Sequence, residues 1–455
     1  MPLNPIKAIQ RRRGLIAWGT GLLVAMLIAI YVALPDYRNA ISEQQAAAGT
    51  VVVDRSGRLL RVFPDDEGRS MWWEDIGKFP ECLKQAAIAA EDKRFYSHPG
   101  FDPIAIFRAV CSNIREGRTV SGASTITQQV VRLIHPRPRT YRSKLIELFA
   151  AAKMEWQLSK TQILELYLNL SPMGGHIRGA RLAALRYFDK DVERINVVEA
   201  AVLAALPRSP SRYDPRGPKG RKFLLEEKDR ILHRMVEQGW LAAAKLRVAL
   251  GPSVQFKITR LPVYAPHFVD FVMARRPSPE AHEVKTTLDL DIQRAIEHIA
   301  RSHQNRLAGL GVEQAGIMVT SATGEILGMI GSLRYGSKDE GYNNAVLAVR
   351  SAGSTLKPFL YALALERGYA SASEIPDTFQ SYRTPHGDYL PLNADRRSYG
   401  PVSVRSALGN SLNISAVKVV RDIGLENFCA LLEQLGLAKQ GSCSPDQYGL
   451  GIAIG

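Results

Sequence analysis

The sequence predicts a multidomain fold: a single N-terminal transmembrane helix, a mainly α domain, then an incomplete α+β domain. Three observations carry this reading. An uncharged apolar run, "LIAWGTGLLVAMLIAIYVAL", fills Leu15–Leu34. Helical periodicity and capping signals dominate from about Leu83 to Leu250. From Val284 the pattern changes to strand pairs followed by helices. A chain of 455 residues is long enough for two or three domains with cores of their own.

The uncharged run comes first. At ~1.5 Å per residue it reaches about 30 Å, the thickness of a bilayer core. Lys7, Arg11, Arg12 and Arg13 precede it, and Pro35-Asp36 follow it. The positive-inside bias puts residues 1–14 in the cytoplasm and everything after 34 outside the inner membrane. A cleaved signal peptide is the alternative. The run is long for a signal core and no Ala-x-Ala follows it, so the preferred reading is a bitopic anchor over 15–34. The net charge of +15 and pI near 9.7 favour anionic partners: nucleic acid, anionic lipid or a phosphate-bearing substrate. Export argues against nucleic acid. The four cysteines, Cys82, Cys111, Cys429 and Cys443, lack metal-type spacing. An exported chain can form disulfides, but pairing is not readable here, and four buried thiols are the alternative.

"GTVVVDRSGRLLRVF" (Gly49–Phe63) reads as a β-hairpin turning at Asp54–Gly57. In the helical part, Leu145, Phe149, Ala152 and Trp156 form one stripe, read as the apolar contact of a helix over 143–159. Ser159-Lys160-Thr161-Gln162 is a capping box that starts the next helix. Residues 220–285 look like a connector, and "GIMVTSATGEILGMIGS" (Gly316–Ser332) is a second hairpin. The expected domains are 50–230, a connector over 231–285, and 286–455.

Three polar clusters fall in the helical domain: Glu91-Asp92 with His98, "SGASTITQQ" (Ser121–Gln129), and Lys144 with Glu147. Each alone has a bland explanation, a solvated helix end or an ordinary i,i+3 surface pair. Together, two carboxylates and a hydroxyl-rich loop suit glycosyl transfer, with cationic surroundings that favour a phosphate leaving group.

"EDKRFYSHPGFD" (Glu91–Asp102), "GASTITQQ", "KLIE" (Lys144–Glu147), "KTQILELYLN" (Lys160–Asn169) and "RGARLAALRYF" (Arg178–Phe188) resemble, in order, the five motifs of family 51 peptidoglycan glycosyltransferases. The resemblance implies a lysozyme-like helical fold beside the membrane. It also implies lipid II and a nascent glycan strand as substrates, with undecaprenyl diphosphate released by inversion. Glu91 matches the base at the acceptor 4-hydroxyl, Glu147 the second acid, and Lys144 the cation at the pyrophosphate. Ser124, Thr125, Gln128 and Gln129 match the loop lining the cleft. Asp92 and Arg178 join the substrate-binding set, with Asp92 expected, like His98, to fix the cleft's shape. No cofactor is implied, no metal ligand is assigned, and a divalent metal at the pyrophosphate stays open. The sequence departs from the pattern at Ser143, where Arg is usual with Arg142 one place earlier, and at Asp189, where Gly is usual. "IAIF" (Ile104–Phe107) sits where the family dips an apolar element into the bilayer; core packing is the other reading.

In the last domain, Ser354-Thr355-Leu356-Lys357 is an S-x-x-K whose pitch can bring an amine to a hydroxyl. Ser415–Lys418 is a second, which shows how cheap the pattern is. "RSAGSTLKPFLYALALE" and "SLN" (Ser411–Asn413) resemble the first two motifs of penicillin-binding transpeptidases, a β-lactamase-like serine acyltransferase fold. That resemblance implies Ser354 as nucleophile, Lys357 as its base, Ser411 as proton relay, Asn413 on the substrate amide, and β-lactams acylating Ser354 in a complete domain. The third motif, K-[ST]-G, is absent, so the domain is expected to be truncated and its acyl transfer lost. The whole resembles the class A penicillin-binding protein architecture of the 1C type, on the periplasmic side of the inner membrane. A lysozyme-like lytic hydrolase and a non-catalytic cell-wall scaffold remain alternatives. The sequence does not name protein partners.

Overall fold

A computed structural model of the chain describes residues 26, 29–108, 124–138, 140–251, 254–276, 278, 281–338, 341–384, 387–443 and 448–454. The tail 1–14, most of the apolar run over 15–34, Cys111 and Ser121–Ala123 lie outside the described residues. Among those described, no helix is long and apolar enough to cross a membrane. The chain divides into two compact units, Met1–Val346 and Leu347–Gly455. The expected break at 285/286 therefore falls inside the first unit.

The first unit begins with helix α1 (Ala40–Ala46) and the predicted hairpin, β1 (Val51–Val53) and β2 (Leu59–Val62). The hairpin is antiparallel, with Val51 opposite Val62. Its side-chain alternation serves two cores, because successive residues point to opposite faces of a strand. Val51, Val53 and Leu59 enter the helical core. Val52 and Leu60 enter a smaller one with Phe268, Val269, Leu288, Leu290 and Met329. β5 (Glu283–Lys285), at the end of the expected connector, pairs with β1 and closes this second core.

Short strand β3 (Ser70–Met71) leads to α2 (Glu81–Glu91), then α3 (Ile126–Ile134), α4 (Tyr141–Gln157) and α5 (Lys160–Leu170). The predicted capping box is present: the Ser159 side chain accepts from Gln162 N–H while Gln162 Oε1 accepts from Ser159 N–H. Strand β4 (Ile177–Arg178) and helices α6 (Ala180–Phe188), α7 (Val197–Ala205), α8 (Pro218–Glu237) and α9 (Ala243–Ala249) complete the helical layer. Asp189 ends α6 at φ +55°, a left-handed cap position that glycine occupies most easily and Asp tolerates. That accounts for glycine being usual there.

The face of α4 corrects the sequence reading. Leu145 and Trp156 are 57% and 84% exposed, whereas Ser143, Glu147, Ala150, Ala151 and Met154 are buried. Small side chains let neighbouring backbones approach, so the packed face is the alanine face; Leu145 and Trp156 point outward while Phe149 and Ala152 are half-buried. Glu147 consequently faces inward, on the packed face of the helix. Gly100 shows how close the packing is: at φ +90°, a Cβ there would lie 2.7 Å from the Ala151 carbonyl group.

The first unit ends with α10 (Pro266–Arg275), β5 (Glu283–Lys285), α11 (Leu290–Ala308) and the second predicted hairpin, β6 (Ile317–Thr320) with β7 (Ile326–Ile330). β5 runs parallel to β1, giving sheet order β2-β1-β5.

The second unit is mixed α and β. Helix α12 (Lys357–Glu366) precedes β8 (Glu374–Asp377), β9 (Tyr382–Thr384), β10 (Gly387–Tyr389) and β11 (Gly400–Ser403). Then come α13 (Val404–Gly409), α14 (Asn413–Ile423) and α15 (Leu425–Gln434). Its core gathers Leu360, Tyr361, Val417, Val420, Phe428 and Leu432. Cys429 and Cys443 form a disulfide, while Cys82 is free, which narrows the four-thiol alternative.

Candidate active site

Glu91 is the last residue of α2, a helix whose Leu83, Ala86, Ala87, Ile88, Ala89 and Ala90 are all buried. Burial of that helix carries the terminal carboxylate out of solvent. Glu91 Oε2 accepts from Gln129 Nε2 at 2.6 Å, and Oε1 is buried with no hydrogen-bond partner. Arg208 Nε lies 3.6 Å from Oε1. Burial raises the Glu91 pKa, against the pull of Arg208 and the Gln129 hydrogen bond. A carboxyl group with raised proton affinity in a cleft is suited to general base work.

Asp92, grouped above with the substrate contacts, is turned inward. Gly100 N–H donates to His98 Nδ1 at 3.2 Å. The ring proton therefore sits on Nε2, which donates to Asp92 at 3.0 Å from each oxygen. Asp92 Oδ2 also accepts from Ile126 N–H at 3.1 Å, the first residue of α3. Thr125 caps the same helix, accepting from Gln128 N–H while its hydroxyl donates to the Gly100 carbonyl. The "HPG" turn, Asp92 and Thr125 thus fix where α3 begins.

That placement matters because α3 serves both carboxylates. Gln129 reaches Glu91. Its neighbour Gln128 accepts from Lys144 Nζ at 3.0 Å, and Ser124 Oγ accepts from the same ammonium at 2.8 Å. Glu147 Oε2 lies 3.3 Å from Lys144 Nζ. Glu147 is buried on the packed face of α4 while Lys144 is exposed one turn earlier. The structure thus brings together Ser124, Gln128, Lys144 and Glu147, and links them through adjacent residues of α3 to Glu91.

A cavity of about 440 Å³ opens beside Glu91. Arg208, Arg234, Ser124, Thr125 and Ala105 line it. Two of these cations were not singled out from the sequence. Arg208 ends the 3-10 turn Leu206–Arg208 and is held by Glu227, a buried residue of α8; Arg234 Nη1 donates to the Ala90 carbonyl at 3.1 Å. "PRSPSRYDP" carries only turn signals, and nothing local places its arginine against a carboxylate far upstream. Arg178 is the opposite case. It sits on β4 and lines a different cavity, so the structure does not bring it to Glu91. Ser143 is buried beside Thr140, which leaves its position without a cation. Among the described residues, no group of three or more His, Cys, Asp or Glu is placed to hold a metal ion.

In the second unit, Lys357 is 1% exposed. Its Nζ donates to Ser411 O at 2.6 Å, Ser411 Oγ at 3.1 Å and Asn413 Oδ1 at 2.6 Å. Burial lowers its pKa to about 8, close to a neutral amine's working range. Ser411 adopts φ +53°, a strained conformation for a residue with a Cβ. Ser354 lies on an exposed 3-10 turn, Gly353–Leu356, and makes no hydrogen bond to Lys357. The structure therefore brings together Lys357, Ser411 and Asn413, and does not join Ser354 to them by a hydrogen bond. The competing Ser415 and Lys418 are buried in structural duty: Ser415 Oγ donates to Asp377 at 2.8 Å, and Lys418 Nζ to Pro376 O at 2.7 Å. Asn393, which the sequence did not flag, accepts from Asn413 N–H at 2.7 Å and donates to Asp377 at 2.8 Å.

Comparison with known proteins agrees with this arrangement. Residues 56–236 match the transglycosylase family model, and residues 315–449 match the penicillin binding protein transpeptidase domain. Penicillin-binding protein 1C of Escherichia coli is 34% identical over 85% of this chain and 49% of its own length. Penicillin-binding protein 1A of Aquifex aeolicus is 30% identical over 93% of this chain and 70% of its own length. Penicillin-binding protein 1F of Bacillus subtilis is 32% identical over 95% of this chain and 62% of its own length. The chain thus spans about half to two thirds of the length of these relatives. With a helical transglycosylase domain followed by a mixed α and β transpeptidase domain, the chain belongs to the class A penicillin-binding proteins.

Proposed function

We propose that the helical domain is a peptidoglycan glycosyltransferase that polymerises lipid II into glycan strands. The observation that carries this is the bridge made by α3, which joins Glu91 to the Lys144–Glu147 pair through Gln129, Gln128 and Ser124. Glu91, with its raised proton affinity, takes the proton of the acceptor's 4-hydroxyl. The freed oxygen attacks the donor's anomeric carbon. The bond from that carbon to the phosphate oxygen breaks, and the electron pair leaves on undecaprenyl diphosphate. Lys144, oriented by Glu147, Gln128 and Ser124, binds the pyrophosphate and stabilises the charge that develops there. Attack opposite the leaving group inverts the anomeric configuration.

Residues 50–230 form the transferase, 231–285 the connector and 286–455 the acyl-transfer domain. Residues 15–34 anchor the chain in the inner membrane, with the catalytic domains in the periplasm. Exposed Ile104 and Phe107 favour membrane contact over core packing for "IAIF". In a complete second domain, Ser354 is the nucleophile towards a D-Ala-D-Ala carbonyl. Its oxygen bonds to the carbonyl carbon, the terminal amide bond breaks, and the proton passes by Lys357 and Ser411 to the departing amine. β-Lactams acylate the same serine in a complete domain.

Lipid II given to purified protein tests the transferase reading. Lengthening glycan supports it; shortening of preformed glycan supports a lytic hydrolase, for which a pyrophosphate clamp has no use.

A further inference from the structure

A second cationic cavity lies apart from the cleft that holds Glu91. Its volume is about 170 Å³, and Gln44, Arg69, Arg132 and Arg178 line it with the apolar Met71 and Leu133. Four different elements supply these groups. Gln44 comes from α1, Arg69 and Met71 from the segment at β3, Arg132 from the last turn of α3, and Arg178 from β4. Parallel pairing of Met71 with Arg178 fixes one wall.

The charges here are unevenly matched. Asp65 and Glu67 also line the cavity, and both bind Arg69, at 2.7 and 2.8 Å. Asp65 is further used by its own turn, accepting from Glu67 and Arg69 N–H. Arg132 and Arg178 are half-buried, and among the described residues neither makes a direct salt bridge or hydrogen bond through its guanidinium, though Asp65 and Glu67 act on Arg178 at longer range. Burial, then Arg69, weakens the hold of Arg178 on its proton, against the smaller pull of Asp65 and Glu67. Beside the lining Pro136, Arg137 has a buried Nη1 with no acceptor. Partly desolvated guanidinium groups whose nearest carboxylates are already bound to another arginine are costly unless an anion joins them.

The position narrows the anion. Helical residues run to Ala33, and buried Lys153 of α4 donates to Tyr31 O and Leu34 O at 2.8 and 2.7 Å. Tyr37, three residues on, packs against His135 next to Pro136. The cavity therefore sits close to the segment Tyr31–Tyr37, at the end of the apolar run 15–34. We propose that this cavity binds a phosphate group, that of an anionic phospholipid headgroup at the membrane surface, through Arg132 and Arg178. The lipid assignment rests on the anchor reading above; the anion site does not.

Isothermal titration of the full chain in neutral detergent tests it with soluble probes: dihexanoyl-phosphatidylglycerol, dihexanoyl-phosphatidylcholine and inorganic phosphate. The glycerol lipid is expected to bind about tenfold or more tightly than the choline lipid, and the Arg132→Gln/Arg178→Gln variant to lose about tenfold. Arg178→Lys, which keeps charge without the fork, is expected to retain part of the binding. Phosphate binding that the variant abolishes, without preference between lipids, would overturn the lipid assignment alone. Absence of binding by every probe, or binding unchanged in a double variant with native circular dichroism, would overturn the site. Because the probes are water-soluble, failure of the anchor reading would show separately, as loss of vesicle flotation by the wild type.

Discussion

Replacing Arg208 with Gln removes the cation that pairs with Glu91 among the described residues, leaving the weaker, longer-range pull of Arg234. At 3.6 Å, two unit charges interact by about 4–5 kcal/mol at an effective dielectric near 20. Solvent reduces that, because the Arg208 side chain is 36% exposed, and so does sharing with Glu227. A net effect of about 1–2 kcal/mol remains, roughly one pKa unit. The sign follows from charge: Arg208 favours the ionised carboxylate, so its loss raises the Glu91 pKa further. The variant also leaves Glu227 with Arg230 as its remaining partner, so more of its charge acts on Glu91, in the same direction. A base must be deprotonated to act. The acid limb of the rate of lipid II polymerisation should therefore move up by about one pH unit, with the rate at the alkaline end far less affected. The assay is initial polymerisation rate with labelled lipid II across pH 5–9. An acid limb that stays in place in a folded Arg208→Gln protein would refute the claim that this pair sets the base.

Two further outcomes follow from burial. The folded-state pKa of Glu91 is raised, so the folded chain holds its proton more tightly than the unfolded one, and stability falls as pH rises through that interval. Glu91→Gln should therefore gain melting temperature over the wild type at pH 8 and lose most of that gain at pH 4, as read by thermal unfolding; equal differences at both pH values would contradict it. Asn393→Ala should lower the unfolding free energy of the second unit by about 2–3 kcal/mol, because it strips partners from Asp377 and from the Asn413 and Ile414 N–H groups. Urea titration followed by a probe in that unit checks this, and a cost under about 0.5 kcal/mol would show that the network is not under load.

Local signals were read well from the sequence, and long-range ones were not. Both hairpins and the Ser159–Gln162 capping box appear where periodicity and turn chemistry place them. The face of α4 was misread because residue size was taken as a guide to burial. Packing there needs alanine, and Leu145 and Trp156 are left outside. β5 escaped notice because three residues, Glu283–Lys285, carry no alternation that stands out. Of the candidate site, Ser124, Gln128, Lys144 and Glu147 converge in space, as their shared motif pattern suggested. Arg208 and Asn393 were illegible because each acts on a partner distant in sequence, and only the fold brings them there. Arg178 lies in an adjoining motif yet faces another cavity, since β4 pairs with β3 rather than packing on the cleft.

The central claim is that α3 holds two acidic centres in one transferase site with Glu91 as its base. Polymer length from labelled lipid II, measured for wild type and Glu91→Gln side by side at saturating substrate, tests it most directly. The account predicts long glycan from the wild type and a rate lowered about 100-fold or more in the variant, with lipid II binding retained. Polymerisation undiminished in Glu91→Gln would contradict it.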